Sequence, residues 1–322
     1  MRTLMNVLAA TGLALALGVG SGNAQDSLGE LTITAPAGAG GGWDGAARSL
    51  QQVLTEEGIA TSVQVINVPG AGGTVGLAQF APSAATDPRQ LLVAGITLVG
   101  AIISNGAPVD LSQVTPIARL TGDPLAVVVP ASSPIQSMDD LLEAIRADVG
   151  GTIWAGGSAG GADHILAALI TQAAGQDPAA VNYVAYSGGG EALAAMLGGQ
   201  VTAGVSGYGE WQAQIEAGEL RALAISYPEP IEGIDALPLK AQGIDVELVN
   251  WRAIFAGSDL TDEQKAALSA GIERVVTSAA WQEVLEARGW SDYYMPADEF
   301  AAFLTEETEN VRQVLTSLGL AQ

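Results

Sequence analysis

Short apolar runs alternate with helix-period patterns almost from end to end of this chain. Residues 31–35 are apolar and β-branched enough for a strand. Ala47, Leu50, Val53 and Leu54 then recur at helical spacing, in a segment that Asp44 opens and Gly58 closes. A second strand is expected at 62–68 and a short helix at 73–81, ended near Pro82. A third strand follows at 90–94, and a helix from Gly95-Ile96-Thr97-Leu98 to about 104. This βαβαβ order implies a parallel sheet with right-handed crossovers.

A second series begins further on. Residues 114–120 and 125–129 read as two strands separated by Thr121-Gly122-Asp123-Pro124. Ser137-Met138-Asp139-Asp140 starts a helix with Leu141, Leu142 and Ile145 on one face. Strand patterns at 152–155, 181–184, 201–205 and 220–226 then alternate with helical ones. The stretch 227–245, with Pro228, Pro230 and Pro238, reads as a connector. Residues 246–251 and 253–256 are apolar strand candidates. The remainder is helical: 262–277 behind the Thr261 cap, 280–288, and 297–318, where Phe300, Phe303, Leu304, Val311, Val314, Leu315 and Leu318 form one stripe.

The expected fold class is therefore α/β with two lobes, a hinge and a central cleft. Lobe one takes 25–122 plus 230–322 and lobe two takes 123–229, since the C-terminal helices are expected to return to the first lobe. In open α/β sheets a ligand sits beyond the carboxyl ends of the strands. Five glycine loops fall at such ends. They are Ala35-Pro36-Ala37-Gly38-Ala39-Gly40-Gly41-Gly42-Trp43-Asp44, Asn67-Val68-Pro69-Gly70-Ala71-Gly72-Gly73-Thr74, Gly156-Gly157-Ser158-Ala159-Gly160-Gly161-Ala162-Asp163, Tyr186-Ser187-Gly188-Gly189-Gly190-Glu191 and Ser206-Gly207-Tyr208-Gly209. Bare N–H groups at helix starts attract anions, so converging starts make an anion site without a cation. This points to a binder of small carboxylates.

Composition narrows the field. The 322 residues are 48% hydrophobic, enough for a sizeable core. Met1-Arg2, an apolar run over 4–19 and Ser21-Gly22-Asn23-Ala24 read as an export signal over 1–24, cleaved near Ala24 into the periplasm. There is no Cys, which excludes disulfides, thiolate metal sites and a lipid-anchored cysteine. The net charge of −23 makes nucleic acid a poor partner. Two lysines against 35 acidic residues suggest a salty habitat, where salt screens self-repulsion.

Enzyme readings fare badly. Gly156-Gly157-Ser158-Ala159-Gly160 fits G-x-S-x-G after a strand, but a serine hydrolase needs a histidine to take the hydroxyl proton. His164, the one histidine, lies six residues on, about 9 Å along the same helix. A dinucleotide site expects an acidic residue ending the second strand, where Asn67-Val68-Pro69 stands instead. With one His and no Cys, no metal or other cofactor is expected. Asp44 either caps its helix or orders the first loop by accepting backbone N–H groups; Asp163 and Glu191 have similar positions. Trp43 and Tyr208 either line the cleft or pack ordinarily. Arg252 either meets the ligand or joins the lobes.

At these loops the sequence resembles the periplasmic solute receptors of the tripartite tricarboxylate transporter family, also called Bug-type receptors. The likeness runs from 35–48 and 68–76 through 186–193 and 197–201 to 217–224, nearly the whole mature chain in order. It implies a type II periplasmic-binding-protein fold, an open–closed cycle and a receptor that delivers organic acids to a permease of a large and a small subunit; the receptor itself is expected to be a monomer. It also implies that main-chain N–H groups around Gly38, Gly40 and Gly41, and around Gly70, Ala71, Gly72, Gly73 and Thr74, hold the carboxylate. The far lobe would supply Ser158, Ala159, Gly160 and Asp163 with Ser187, Gly188 and Gly189. Thr97, Trp43, Asp44 and Tyr208 complete the expected site.

Overall fold

The computed structural model describes residues 27–186 and 188–321; the expected export signal and Ser187 lie outside them. The first series folds as β1 (Glu30–Ala35), α1 (Gly42–Glu56), β2 (Ser62–Asn67), α2 (Thr74–Ala84), β3 (Gln90–Gly95) and α3 (Ile96–Ser104). β1 pairs in parallel with β2 and β3. α2 runs through Pro82 for a turn beyond the expected end. The proline removes one donor from the helical ladder. Ser83 lies beside it and donates its hydroxyl to the Gln79 and Phe80 carbonyls at 2.8 and 3.1 Å.

The two strands expected over 114–129 are one strand, β4 (Val114–Pro130), buried along nearly all its length. The strand expected to break at Arg252 is likewise continuous, as β9 (Val249–Gly257). β4 and β9 pair antiparallel from Val114 opposite Gly257 to Pro124 opposite Val249. Both prolines of β4 sit where the ladder tolerates them. Pro116 adjoins a register shift and Pro124 ends the pairing with β9, the positions open to a residue without an N–H. β9 joins the first sheet through β3.

Past Pro124, β4 belongs to the second half of the molecule. There it pairs antiparallel with β7 (Ala203–Gly207) and β8 (Leu220–Ile225). β5 (Ile153–Gly156) lies between β7 and β6 (Asn182–Ala185), parallel to both. The helices of this half are α4 (Met138–Ala147), α5 (Ala162–Ala173), α6 (Gly189–Leu197) and α7 (Tyr208–Glu216). Two sheets thus share one long strand, and the backbone crosses between lobes along β4 and around the start of β9.

The C-terminal elements are α8 (Asp262–Val276), α9 (Ala279–Arg288), β10 (Ser291–Pro296) and α10 (Ala297–Ser317). α8 and α9 pack on α1, and α10 packs on α3 and β4. β10 was not legible in the hydrophobic pattern; it pairs antiparallel with β4 near the crossing. The main core includes Trp154, Trp251, Trp281, Phe255 and Phe300. A smaller cluster on the other side of the second sheet gathers Val128, Met196, Trp211 and Tyr208.

Candidate binding site

The carboxyl ends of β1, β2, β5, β6 and β7 open onto one cleft between the lobes, with a volume of about 420 Å³. Of the expected site residues, Gly38, Gly41, Trp43, Gly70, Ala71, Gly72, Gly73 and Thr97 line it from the first lobe. Ser158, Ala159, Asp163, Gly188 and Gly189 line it from the second. The lobes touch at its edge, where the Ala162 N–H donates to Thr97 Oγ1 at 3.3 Å.

Helix starts differ according to where they point. α1, α2, α3, α5, α6 and α7 begin at Gly41, Gly73, Gly95, Gly161, Gly188 and Gly207, which bring no capping side chain of their own; from elsewhere, Thr97 accepts the first N–H of α5 and Glu210 the first of α6. Away from the cleft, Ser137, Thr261 and Ser278 cap α4, α8 and α9 through their hydroxyls. α10, which starts behind Pro296, is also uncapped. A glycine cap brings no side chain of its own to the first-turn N–H groups and lets a ligand approach them. Many such starts around one cleft form a field favourable to an anion.

Five expected residues stand outside the lining. Gly40 donates its N–H to Asp44 Oδ2 at 2.9 Å, and Asp44 also accepts from Arg48 Nε at 3.0 Å and Asn67 Nδ2 at 2.9 Å. Burial opposes the charge on Asp44, but these partners outweigh it and lower the pKa. Asp44 is therefore an anchor behind the first loop, not a group facing the ligand. Thr74 donates its hydroxyl to the Ala71 carbonyl at 3.0 Å, which Asn105 Nδ2 also reaches at 3.3 Å. Together they hold Ala71 at φ +46°, a conformation that costs a residue with a side chain. Gly160 turns away to contact α3 and His164, and Tyr208 packs in the smaller core cluster. Trp43 does both things expected of it: it lines the cleft, and its ring lies against Gly73.

Arg252, for which contact with the ligand and a tie between the lobes both stood open, and Glu210, which the sequence pattern did not assign, complete the wall. Arg252 of β9 and Glu210 of α7 both line the cleft. Arg252 Nη2 lies 2.5 Å from Asp123 Oδ2 on β4 and 4.0 Å from Glu210 Oε1. Arg252 thus faces the cleft and also ties the two crossing strands together. Ser206 donates to Glu210 Oε2 at 3.3 Å, and burial holds Glu210 above the ordinary carboxylate range against the pull of Arg252. Asp163 accepts the Gly157 N–H at 2.7 Å. Burial, offset in part by that N–H and reinforced by Glu210 and Asp123, pushes Asp163 up to about 7.

His164 is committed away from Ser158. Its Nδ1 accepts the Gly160 N–H at 3.0 Å and its ring stacks on Tyr183 at 4.3 Å. Burial lowers its pKa from 6.5 to about 4. The unfolded chain therefore takes up this proton first as pH falls. The contribution of His164 to stability is complete above about 6.5 and is lost on acidification toward about 4. As His164 is the one histidine in the chain, its ring proton resonances are unambiguous. They are expected to titrate near 4; titration near 6.5 would contradict the buried acceptor role.

Two α/β lobes joined by crossing strands, with a cleft at the carboxyl ends of their strands, define a type II periplasmic-type solute-binding protein. The chain belongs to the tripartite tricarboxylate transporter family of receptors, whose description its residues 46–320 match. It is 28% identical over 286 residues to the protein BugT of Bordetella pertussis, covering 87% of this chain and 86% of that one. The structure of the periplasmic binding protein BugD superposes with a TM-score of 0.82 at 19% identity, covering 91% of this chain and 98% of BugD. An R. palustris protein solved with adipate gives a TM-score of 0.83 at 19% identity, covering 91% of this chain and 98% of that one.

Proposed function

We propose that this protein is the exported receptor of a tripartite tricarboxylate-type transporter. It captures a small organic carboxylate between lobes divided at 122/123 and 229/230, and its closed form docks on a permease of a large and a small membrane subunit. It acts as a monomer and performs no catalysis. The observation that carries this reading is the set of glycine-capped helix starts around the cleft, against hydroxyl-capped helices elsewhere. Main-chain N–H groups around Gly38, Gly41, Gly42 and Gly70–Gly73 grip the carboxylate. Adipate bound to the R. palustris neighbour is in keeping with such a ligand.

A ligand that binds only the folded, closed form protects against unfolding. At one hundred times its Kd the right acid is expected to stabilise the protein by about 2.7 kcal/mol, a rise in Tm of roughly 5 °C for a chain this long. A thermal-melt screen over citrate, C4-dicarboxylates, aromatic acids and amino acids checks this. No shift with any acid would contradict the reading.

A further inference from the structure

The crossing strand β9 separates two cavities. Neighbouring side chains of a strand point to opposite faces. Asn250 and Arg252 line the ligand cleft, while Val249 and Trp251 line a second cavity behind it, of about 280 Å³. α5 divides in the same way. Its first residues, Ala162 and Asp163, face the cleft, and Ile165 and Leu169 face the rear cavity. The opposite rear wall belongs to the first lobe, where α10 brings Phe303, Val311 and Val314. One space is thus enclosed by both lobes and by the strand that joins them.

The walls differ in what holds them. Trp251 donates its Nε1–H to Glu307 Oε1 on α10 at 3.0 Å, and its ring meets those of Phe300 and Phe303 edge-on. The Arg119 guanidinium of β4 lies over the rings of Tyr293 and Phe303. β4, β9 and α10 are therefore joined into one block at the rear. α5 comes from the second lobe, and Ile165 and Leu169 move with it. At the cleft the lobes are in contact: Ala162 donates to Thr97, and Gly188 lies beside Gly41. The space behind β9 is accordingly that of closed lobes.

We propose that this rear cavity sets the balance between open and closed lobes. A swing of the second lobe that opens the cleft on the Arg252 face carries Ile165 and Leu169 toward α10 on the Trp251 face, and so fills the space. A void in a close-packed interior forfeits dispersion contacts along its lining. Collapse of the cavity therefore favours the open form until a ligand occupies the cleft. The apparent affinity then scales with the fraction of protein that is closed beforehand. This inference rests on the carboxylate-receptor reading and adds what restrains its closure, through residues that stand outside the cleft lining.

Leu169→Trp on the second-lobe wall and, separately, Val314→Phe on the first-lobe wall place a wedge in the cavity; neither residue lines the cleft. In small-angle X-ray scattering of the full mature chain without ligand, each is expected to lower the radius of gyration toward the value that the unaltered protein reaches only with ligand. Calorimetric titration with citrate, succinate, malate and adipate is expected to give each variant a Kd at least about threefold lower for any acid that binds the unaltered protein. A change that merely disturbs packing would lower the melting temperature and leave both quantities where they were. An unchanged radius, or an unchanged or higher Kd, in the folded variants would overturn the proposal. Loss of the far-UV circular dichroism of both variants would overturn it too, since closed lobes would then have no room for the wedge. None of these outcomes touches the carboxylate-receptor reading. Failure of every acid to bind the unaltered protein would count against that reading, and the ligand-free scattering would still decide the role of the cavity.

Discussion

Gly38→Leu is expected to abolish ligand binding while leaving the ligand-free protein as stable as before. Gly38 lines the cleft, has nothing within 4 Å of where its Cβ would stand, and does not occupy a left-handed conformation. A side chain there fills the space the carboxylate needs without disturbing the fold. Removing a glycine from the unfolded ensemble would even add about 0.4–1 kcal/mol of stability. The protection of about 2.7 kcal/mol at one hundred times Kd is then expected to vanish. Thermal melts of the variant with and without ligand measure both quantities. Retained protection would remove the first glycine loop from the site. Gly72 is a poorer place for this experiment. It sits at φ +64°, and its Cβ would clash with that of Ala101 on α3, so a substitution there strains the packing of the loop on α3 as well as the site.

Arg252→Met is expected to have the largest effect on stability. Asp123 and Arg252 are 1% and 2% exposed, and the change strands the Asp123 carboxylate, whose one salt-bridge partner among the described residues is Arg252. Breaking a buried pair in this way costs about 3–5 kcal/mol. Asp123→Asn combined with Arg252→Met is expected to recover part of that loss, since the uncompensated charge is gone. Urea denaturation of both variants gives the comparison. A single substitution costing under about 1 kcal/mol would mean that the pair does not hold the crossing strands together.

The glycine loops were legible in the sequence because their chemistry is local. A strand pattern, a run of glycines and a helix pattern in succession specify a helix start without a side-chain cap, and most of the expected lining residues follow from that alone. The crossing strands were not legible, because what stabilises them lies far away along the chain. Gly122 and Pro124 read as a break in β4, yet β9 pairs through that region. Arg252 read as an interruption of an apolar run, yet its partner Asp123 stands 129 positions earlier. Periodicity registers a charge inside an apolar run as an end, and only the tertiary pairing makes it an interior residue. Glu210 was missed for a related reason. It belongs to the third residue of a helix start that the pattern had marked for its backbone, and nothing local distinguishes a first-turn acid that caps a helix from one that faces a ligand. Of the two places open to Tyr208, the cleft and ordinary packing, its ring takes the second, in the small core cluster with Trp211 and Met196.

Uncharged main-chain N–H groups from the glycine loops are proposed to hold the carboxylate. The most direct test follows backbone amide resonances during titration with the acid that gives the largest melting shift. The largest changes are expected at Gly38, Gly41, Gly42, Gly72 and Gly73, with accompanying changes at Gly157, Ser158 and Gly188. Undisturbed loop amides, with changes gathered instead at residues outside the cleft, would contradict the account.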